Sequence, residues 1–355
     1  MYAAVLLASL LLPTACSSSR SGSPDAATVD TLPALDPPYL WYAGSGLNAF
    51  TLAQTEQSGD DGAQYNVTPN VGMQFFHDLA FDAQGNLWTI PFSGDQVVRV
   101  SAAQLPPGPG SEAPPTDLMI SSSALQGAQN LAFDDAGNLW VLSYDGAGQS
   151  IATISRFDSP SVLQGEVTLQ PSVTIGPGAS AAERRRFTQA SAIAFDGDGN
   201  LWLAATANVL RFDRPQGQTG SVAPSPSAII EGGDAYAALG FDATGALWVS
   251  GAGSGYFVER FDRPGALSGS VNPTPDAKVV LPSSDATHFA GGFAFDGEGA
   301  LWIVTSNRLL KLSAAGALKG TIQGRPAVIL GTTAAPDLSS KLVLRGGGPA
   351  GSAAP

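Results

Sequence analysis

Between residues 39 and 345 the chain alternates short apolar runs with turn residues, and the alternation has a long period. Five segments align directly: Leu79-Ala-Phe-Asp-Ala-Gln-Gly-Asn-Leu-Trp88, Leu131-Ala-Phe-Asp-Asp-Ala-Gly-Asn-Leu-Trp140, Ile193-Ala-Phe-Asp-Gly-Asp-Gly-Asn-Leu-Trp202, Leu239-Gly-Phe-Asp-Ala-Thr-Gly-Ala-Leu-Trp248 and Phe293-Ala-Phe-Asp-Gly-Glu-Gly-Ala-Leu-Trp302. A sixth, half-complete copy is Tyr39-Leu40-Trp41, so all six tryptophans of the chain fall at one repeat position. Successive tryptophans are 47, 52, 62, 46 and 54 residues apart. That spacing matches a four-stranded propeller blade of roughly 40–50 residues plus loops.

Each unit reads as a β-hairpin. An apolar strand ends at Phe-Asp, the Asp side chain accepts backbone N–H groups of the turn, and the Gly supplies the positive φ that the reversal needs. Leu-Trp then opens the second strand, with the indole expected to fill the space between neighbouring blades. A third strand carries a recurring basic residue, in Val98-Arg99-Val100, Arg156-Phe157-Asp158, Arg211-Phe212-Asp213, Arg260-Phe261-Asp262 and Lys311-Leu312-Ser313. Five copies of one charge imply a structural role. Outer strands echo in Gly217–Val222, Gly265–Val271 and Gly316–Ile322. Apolar pieces at 118–120, 173–175, 228–230, 279–281 and 328–330 close each blade, and the Pro-rich stretch Leu105–Thr116 reads as a blade-edge loop.

The expected fold is therefore all-β, a six-bladed β-propeller with no helix longer than about two turns. The first copy lacks an inner strand, and one apolar segment, Lys341-Leu-Val-Leu-Arg345, is left over. Pairing it beside Trp41 would close the ring and remove an open sheet edge. Residues 346–355 are expected to be a disordered tail.

Composition fits this picture. Apolar residues make up 44% of the 355, charged residues only 13%, and Gly 42 with Pro 26 suits many turns. A formal net charge of −13 repels a phosphate backbone, which argues against nucleic-acid binding and for a soluble monomer. The one cysteine, Cys16, rules out an internal disulfide. It follows an apolar run, Ala3–Leu12, too short to span a bilayer, and the segment Pro13-Thr14-Ala15-Cys16 resembles the lipobox of bacterial lipoproteins. Pro13 stands where that motif usually has Leu, and Met1-Tyr2-Ala3 carries no basic side chain. The resemblance implies a signal peptide over 1–16, lipidation of Cys16, a polar tether over 17–38 and anchoring in the cell envelope, at the outer membrane, periplasm or surface.

The Asp-x-x-Gly-Asn-Leu-Trp units resemble those of NHL-type, gluconolactonase/SMP-30-like and streptogramin-lyase-like propellers, and those of periplasmic regulator propellers. The resemblance spans nearly all of 39–345 and speaks for architecture more than activity. The lactonase branch implies a divalent metal held at the channel mouth, but its Glu-Gly-Pro segment is not found here. The lyase branch implies Phe-Thr-Glu after the Trp and a catalytic His. Here the Trp is followed by Thr89-Ile-Pro, Val141-Leu-Ser, Leu203-Ala-Ala, Val249-Ser-Gly and Ile303-Val-Thr, with no Glu.

Candidate chemistry lies in the segments that lead into the inner strands, because these differ between blades. They place His77, Asp78, Asn130, Ser191, Tyr236 and His288 at one end of the channel, and the chain's two histidines are both among them. His77 beside Asp78 could serve a metal or act as a general base, or both could simply line a wet channel. Arg184-Arg185-Arg186 is the one basic cluster and reads as a solvated loop. No Ser-His-Asp, phosphate-loop or zinc-ligand pattern is found. Three readings follow: a non-catalytic scaffold that binds a small molecule or an envelope protein, a metal-dependent lactonase or lyase, and a periplasmic sensor module.

Overall fold

The computed structural model describes residues 39–345 apart from 45, 52–53, 55–57, 60–64, 72–74, 106–109, 113, 145–150, 233–234, 254, 282–288, 306–307, 313–317, 324–325, 327 and 332–341. Cys16, the tether, His288 and the tail therefore lie outside the described residues. Strands dominate, arranged as six blades whose four inner strands pair antiparallel, and the chain is a six-bladed β-propeller. The α-helix Ala181–Arg186 spans under two turns.

Each repeat forms the hairpin expected of it. In blade 2, Phe76–Phe81 is the inner strand and Leu87–Pro91 the second, with Phe81 opposite Leu87. Asp82 sets the turn. Its Oδ1 accepts the backbone N–H groups of Gln84 at 3.0 Å and Asn86 at 2.9 Å. Gly85 sits at φ 78°, where a side chain would be strained. Asp82 Oδ2 also accepts the indole N–H of Trp88 at 2.7 Å, a bond that recurs from Trp140 to Asp134, Trp202 to Asp196, Trp248 to Asp242 and Trp302 to Asp296 at 2.8–3.0 Å. The Asp thus orders the turn and also satisfies the one polar atom of a fully buried Trp. Burial alone would raise the Asp242 carboxyl, but hydrogen bonds from Thr244, Trp248 and Ala246 outweigh it and hold the group below the ordinary value.

The tryptophans bridge blades. Trp41, Trp88, Trp140, Trp202 and Trp248 each pack against the Phe of the next blade's Phe-Asp, namely Phe81, Phe133, Phe195, Phe241 and Phe295, with ring centroids 5.4–6.0 Å apart. Among the described residues apolar packing is accordingly divided into six clusters, each shared by two successive blades, including the seam between blades 6 and 1 around Trp302, Leu40, Tyr42 and Phe50. Burial pushes the Tyr42 phenol far above its ordinary value. The recurring basic residue lies over the Trp of its own blade, 5.2–5.7 Å from the ring centroid in all five copies. It also reaches onward. Arg99 donates to the carbonyls of Ser161 (2.6 Å) and Leu163 (2.9 Å), and Arg211 to those of Gly265 (3.1 Å) and Pro264 (3.4 Å), in each case on the next blade.

The outer strands depart from the sequence reading. Gly220–Val222, within the segment assigned to blade 4's own edge, runs parallel to Val173–Ile175 and is the fifth strand of blade 3. Gly165–Thr168, Gly269–Val271 and Gly320–Gln323 do the same for blades 2, 4 and 5. Within the Pro-rich loop, Gly110–Glu112 pairs with Tyr65–Val67 of blade 1. Each of blades 1 to 5 therefore has five strands, the outermost lent by its successor, and blade 6 shows four among the described residues. A lent strand caps the open edge of its neighbour and ties the two blades together.

The ring closes as expected. Leu342–Arg345 pairs antiparallel with Tyr39–Gly44, Val343 opposite Trp41 and Arg345 opposite Tyr39. As the inner strand of blade 1 it touches the inner strands of both blade 2 and blade 6, which completes a ring of six inner strands.

Candidate functional site

The inner strands start at one end of the channel and run to the Asp turns at the other. At their starts the pairing is irregular. Register shifts between Phe76 and Asp78, between Ala128 and Asn130, and between Tyr236 and Ala238, so His77, Gln129 and Ala237 are extra residues opposite no partner of their own. Such bulges re-aim side chains and are common beside functional sites.

His77 is buried, not held out into solvent. Its ring stacks on Phe92, with centroids 4.8 Å apart and planes at 24°. Its Nε2 lies 3.3 Å from the Phe92 carbonyl oxygen, a contact that is a hydrogen bond when Nε2 carries the proton. Above it Phe92 and Phe75 form an edge-on pair at 6.4 Å and are 54% and 53% exposed. This aromatic pair was not singled out from the sequence, although Phe75 opens the segment Phe75-Phe76-His77-Asp78 that leads into the inner strand.

Asp78 is fully buried and bonded to the next blade. Its Oδ2 accepts from Asn130 Nδ2 at 2.8 Å and from the backbone N–H of Leu131 at 2.7 Å. Asn130 Oδ1 in turn accepts the backbone N–H of Ile193, in blade 4, at 2.8 Å. Ser191 donates to the carbonyl of Tyr236, in blade 5, at 2.9 Å. Four of the candidate residues thus form two relays that step from blade to blade, one through Asp78 and Asn130 and one from Ser191 to Tyr236. The structure brings His77 beside Asp78 in sequence, but onto Phe92 in space.

Tyr236 enters the relay through its backbone carbonyl. Its ring meets Phe257 edge-on at 6.3 Å and lines a cleft between blades 4 and 5 with Glu231 and Glu259. Neither Glu was picked out from the sequence.

Arg184, Arg185 and Arg186 lie on the short helix at the same end of the ring. Ser180 caps this helix, accepting from the Glu183 N–H while the Glu183 side chain accepts from the Ser180 N–H. Those Ser180 bonds, chiefly from the hydroxyl, hold the Glu183 carboxyl below its ordinary value. Phe187, at the helix end, is buried, and its carbonyl accepts from Ala152 of blade 3. The basic cluster is therefore on a docked helix and not on a free loop. Beside it, Tyr144 donates its hydroxyl to the Ala190 carbonyl at 2.6 Å, and burial raises its phenol above the ordinary value.

For a divalent metal the fit is poor. Among the described residues no three of His, Cys, Asp and Glu come together in a metal-binding group. Asp78 Oδ2 already takes two N–H donors, and the neighbouring Asn130 Oδ1 takes a third.

The sequence matches no family model and no curated protein. Among solved structures the chain is similar to a protein of unknown function from Bacteroides caccae, at 13% identity over 84% of this chain and 99% of that one, with a TM-score of 0.50. It is also similar to the extracellular domain of a putative hybrid two component system from B. thetaiotaomicron, at 12% identity over 69% of this chain and 30% of that one, TM-score 0.43. A streptogramin B lyase is similar at 12% identity over 83% and 80% of the two chains, TM-score 0.41. At such identities the likeness to the B. caccae protein supports the fold alone.

Proposed function

We propose that the chain is an envelope-anchored β-propeller that binds a small molecule or an envelope protein and catalyses no reaction at its channel mouth. One observation carries this reading. Four of the candidate residues are engaged in bonds from blade to blade, with Asp78 and Asn130 bonded across three blades and Ser191 bonded to the Tyr236 carbonyl. A general base needs a free lone pair within reach of substrate.

The anchor is Cys16, through the tether 17–38. Strand register supports its compatibility with binding. Tyr39 and Arg345 pair with each other at the end of the ring that carries the Asp turns. The opposite end, with Phe75, Phe92 and the Arg helix, is left for a partner.

Elemental analysis of the purified protein, dialysed against Ca²⁺, Mg²⁺ and Zn²⁺, tests the non-catalytic reading. The expected result is no equimolar metal tied to the mouth. An equimolar metal that is lost in Asp78→Asn would move the assignment to a metal-dependent lactonase or lyase. For the anchor, Cys16→Ser should shift the protein from the membrane to the soluble fraction, and persistence in the membrane fraction would refute the lipobox reading.

A further inference from the structure

Blade 5 breaks the repeat at a buried position. Immediately before the recurring basic residue of the third strand, blades 2, 3, 4 and 6 carry Val98, Ser155, Leu210 and Leu310, whereas blade 5 carries Glu259. Opposite it on the fourth strand, where the others carry Met119, Thr174, Ile229 and Ile329, stands Lys278. Glu259 is only 8% exposed. A carboxylate in such a place is costly unless it is paired. Lys278 pairs one oxygen, with Nζ 2.8 Å from Oε1, and lies 4.2 Å from the Phe257 ring centroid. That bond uses Oε1 and leaves Oε2 as the carboxylate's second acceptor.

Glu259 lines a cleft of about 130 Å³ between blades 4 and 5, whose walls include Glu231, Tyr236, Phe261, Pro273 and Pro275. A single ordered water needs roughly 10–15 Å³, and a cavity of roughly 150 Å³ admits a molecule of benzene's bulk. The cleft is thus sized for a small organic group. Gly232 makes room for its Tyr236 wall, since a Cβ there would fall 2.3 Å from the Tyr236 hydroxyl oxygen. Glu231, at the outer lip, accepts a short hydrogen bond from Ser270.

The charges of Glu231, Glu259 and Lys278 sum to one uncompensated negative charge. Besides Gly232 and the polar Asn272, the other walls are Ile230, Tyr236, Phe261, Pro273 and Pro275, whose apolar surfaces suit an alkyl stem and, at the Tyr face, a cation. We propose that this cleft binds the ammonium end of a short alkyl amine, with Glu259 Oε2 accepting its N–H and Glu231 supplying the second negative charge at the lip. The same chemistry is offered by a free amine and by a lysine side chain of a partner protein. This site shares Tyr236 with the channel mouth, but its carboxylates, Glu231 and Glu259, are not mouth candidates, and it does not depend on the anchor.

Calorimetric titration of the folded protein with n-butylammonium, n-butanol and Nα-acetyl-lysinamide tests it. Saturable uptake of n-butylammonium is expected, with n-butanol about tenfold weaker because it lacks the charge. Glu259→Gln should weaken uptake about tenfold, and Glu231→Gln, on an exposed side chain that leaves the fold intact, about threefold. Lys278→Met has the opposite sign: removing the native counter-charge should tighten amine binding several-fold, which a merely structural pair would not do. Stronger uptake of Nα-acetyl-lysinamide than of n-butylammonium assigns the site to a partner's lysine, and the reverse assigns it to a free amine. The proposal is overturned if the wild type takes up no n-butylammonium, if n-butanol binds equally well, or if Lys278→Met fails to bind more tightly.

Discussion

Replacing Asp134 by Ala should destabilise the whole ring although it alters a single turn. Asp134 Oδ1 accepts the N–H groups of Ala136 (3.0 Å) and Asn138 (2.9 Å), and Oδ2 accepts from Asn138 Nδ2 (3.0 Å) and Trp140 Nε1 (2.8 Å). Alanine removes both oxygens and with them all four hydrogen bonds. The exposed part of the turn recovers water, at a cost like that of a lost helix cap, about 1 kcal/mol. Trp140 is fully buried, so its N–H is left without an acceptor, at about 1–3 kcal/mol. The sum is about 2–4 kcal/mol. At about 2 °C per kcal/mol for a large domain, thermal melting followed by circular dichroism should drop by roughly 4–8 °C. Asp95→Ala, on an exposed loop where Asp95 accepts from Ser93, is the control and should melt like the wild type. A shift of under about 1 °C in Asp134→Ala would refute the claim that the Asp–Trp bond is what fixes each hairpin to the core.

Three further outcomes are expected. Arg211→Met keeps the packing over Trp202 but strips donors from the Gly265 and Pro264 carbonyls and should cost about 2 kcal/mol in urea unfolding, whereas an unchanged midpoint would mean that the arginines do not tie blades. Ending the chain at Pro336 removes the strand 342–345 and should lower the melting temperature of the entire ring, while unchanged melting would contradict closure by that strand. Because the folded Asp242 carboxyl lies below its ordinary value of 3.8, its contribution is present above that value and is lost as pH falls through the folded one. Asp242→Asn should therefore be less stable than the wild type near neutral pH, and the gap should narrow below about pH 4. A gap independent of pH would remove the charge from the explanation.

What the sequence made legible was local. Asp, Gly and Trp of the repeat lie within seven residues, so their spacing alone specifies a hairpin, and the structure builds all five complete copies that way. Closure could be read as well, because blade 1 lacked a strand and 342–345 was left over. The lent strands could not. Gly220–Val222 carries no mark that distinguishes pairing with its own blade from parallel pairing with Val173–Ile175, and a parallel partner is fixed only when the blades are already side by side. The mouth was legible as a set of positions but not as a set of contacts. Asp78 and Asn130 are 52 residues apart, and only the ring places them 2.8 Å from each other. Glu259 was not picked out, although it is the one acidic residue in a column of apolar and small ones, a departure that shows when the third strands are aligned on their basic residue.

The central claim is that the polar residues at the channel mouth bind blade to blade. A double-mutant cycle on Asp78→Ala and Asn130→Ala, measured by urea unfolding, tests it most directly, since the two side chains share one bond across a blade boundary. Both single variants should be destabilised, and the cycle should show a coupling of about 1.5–3 kcal/mol, as expected for a buried hydrogen bond to a charged group. Coupling below about 0.3 kcal/mol, with both single variants as stable as the wild type, would contradict the account and return these residues to the search for a ligand.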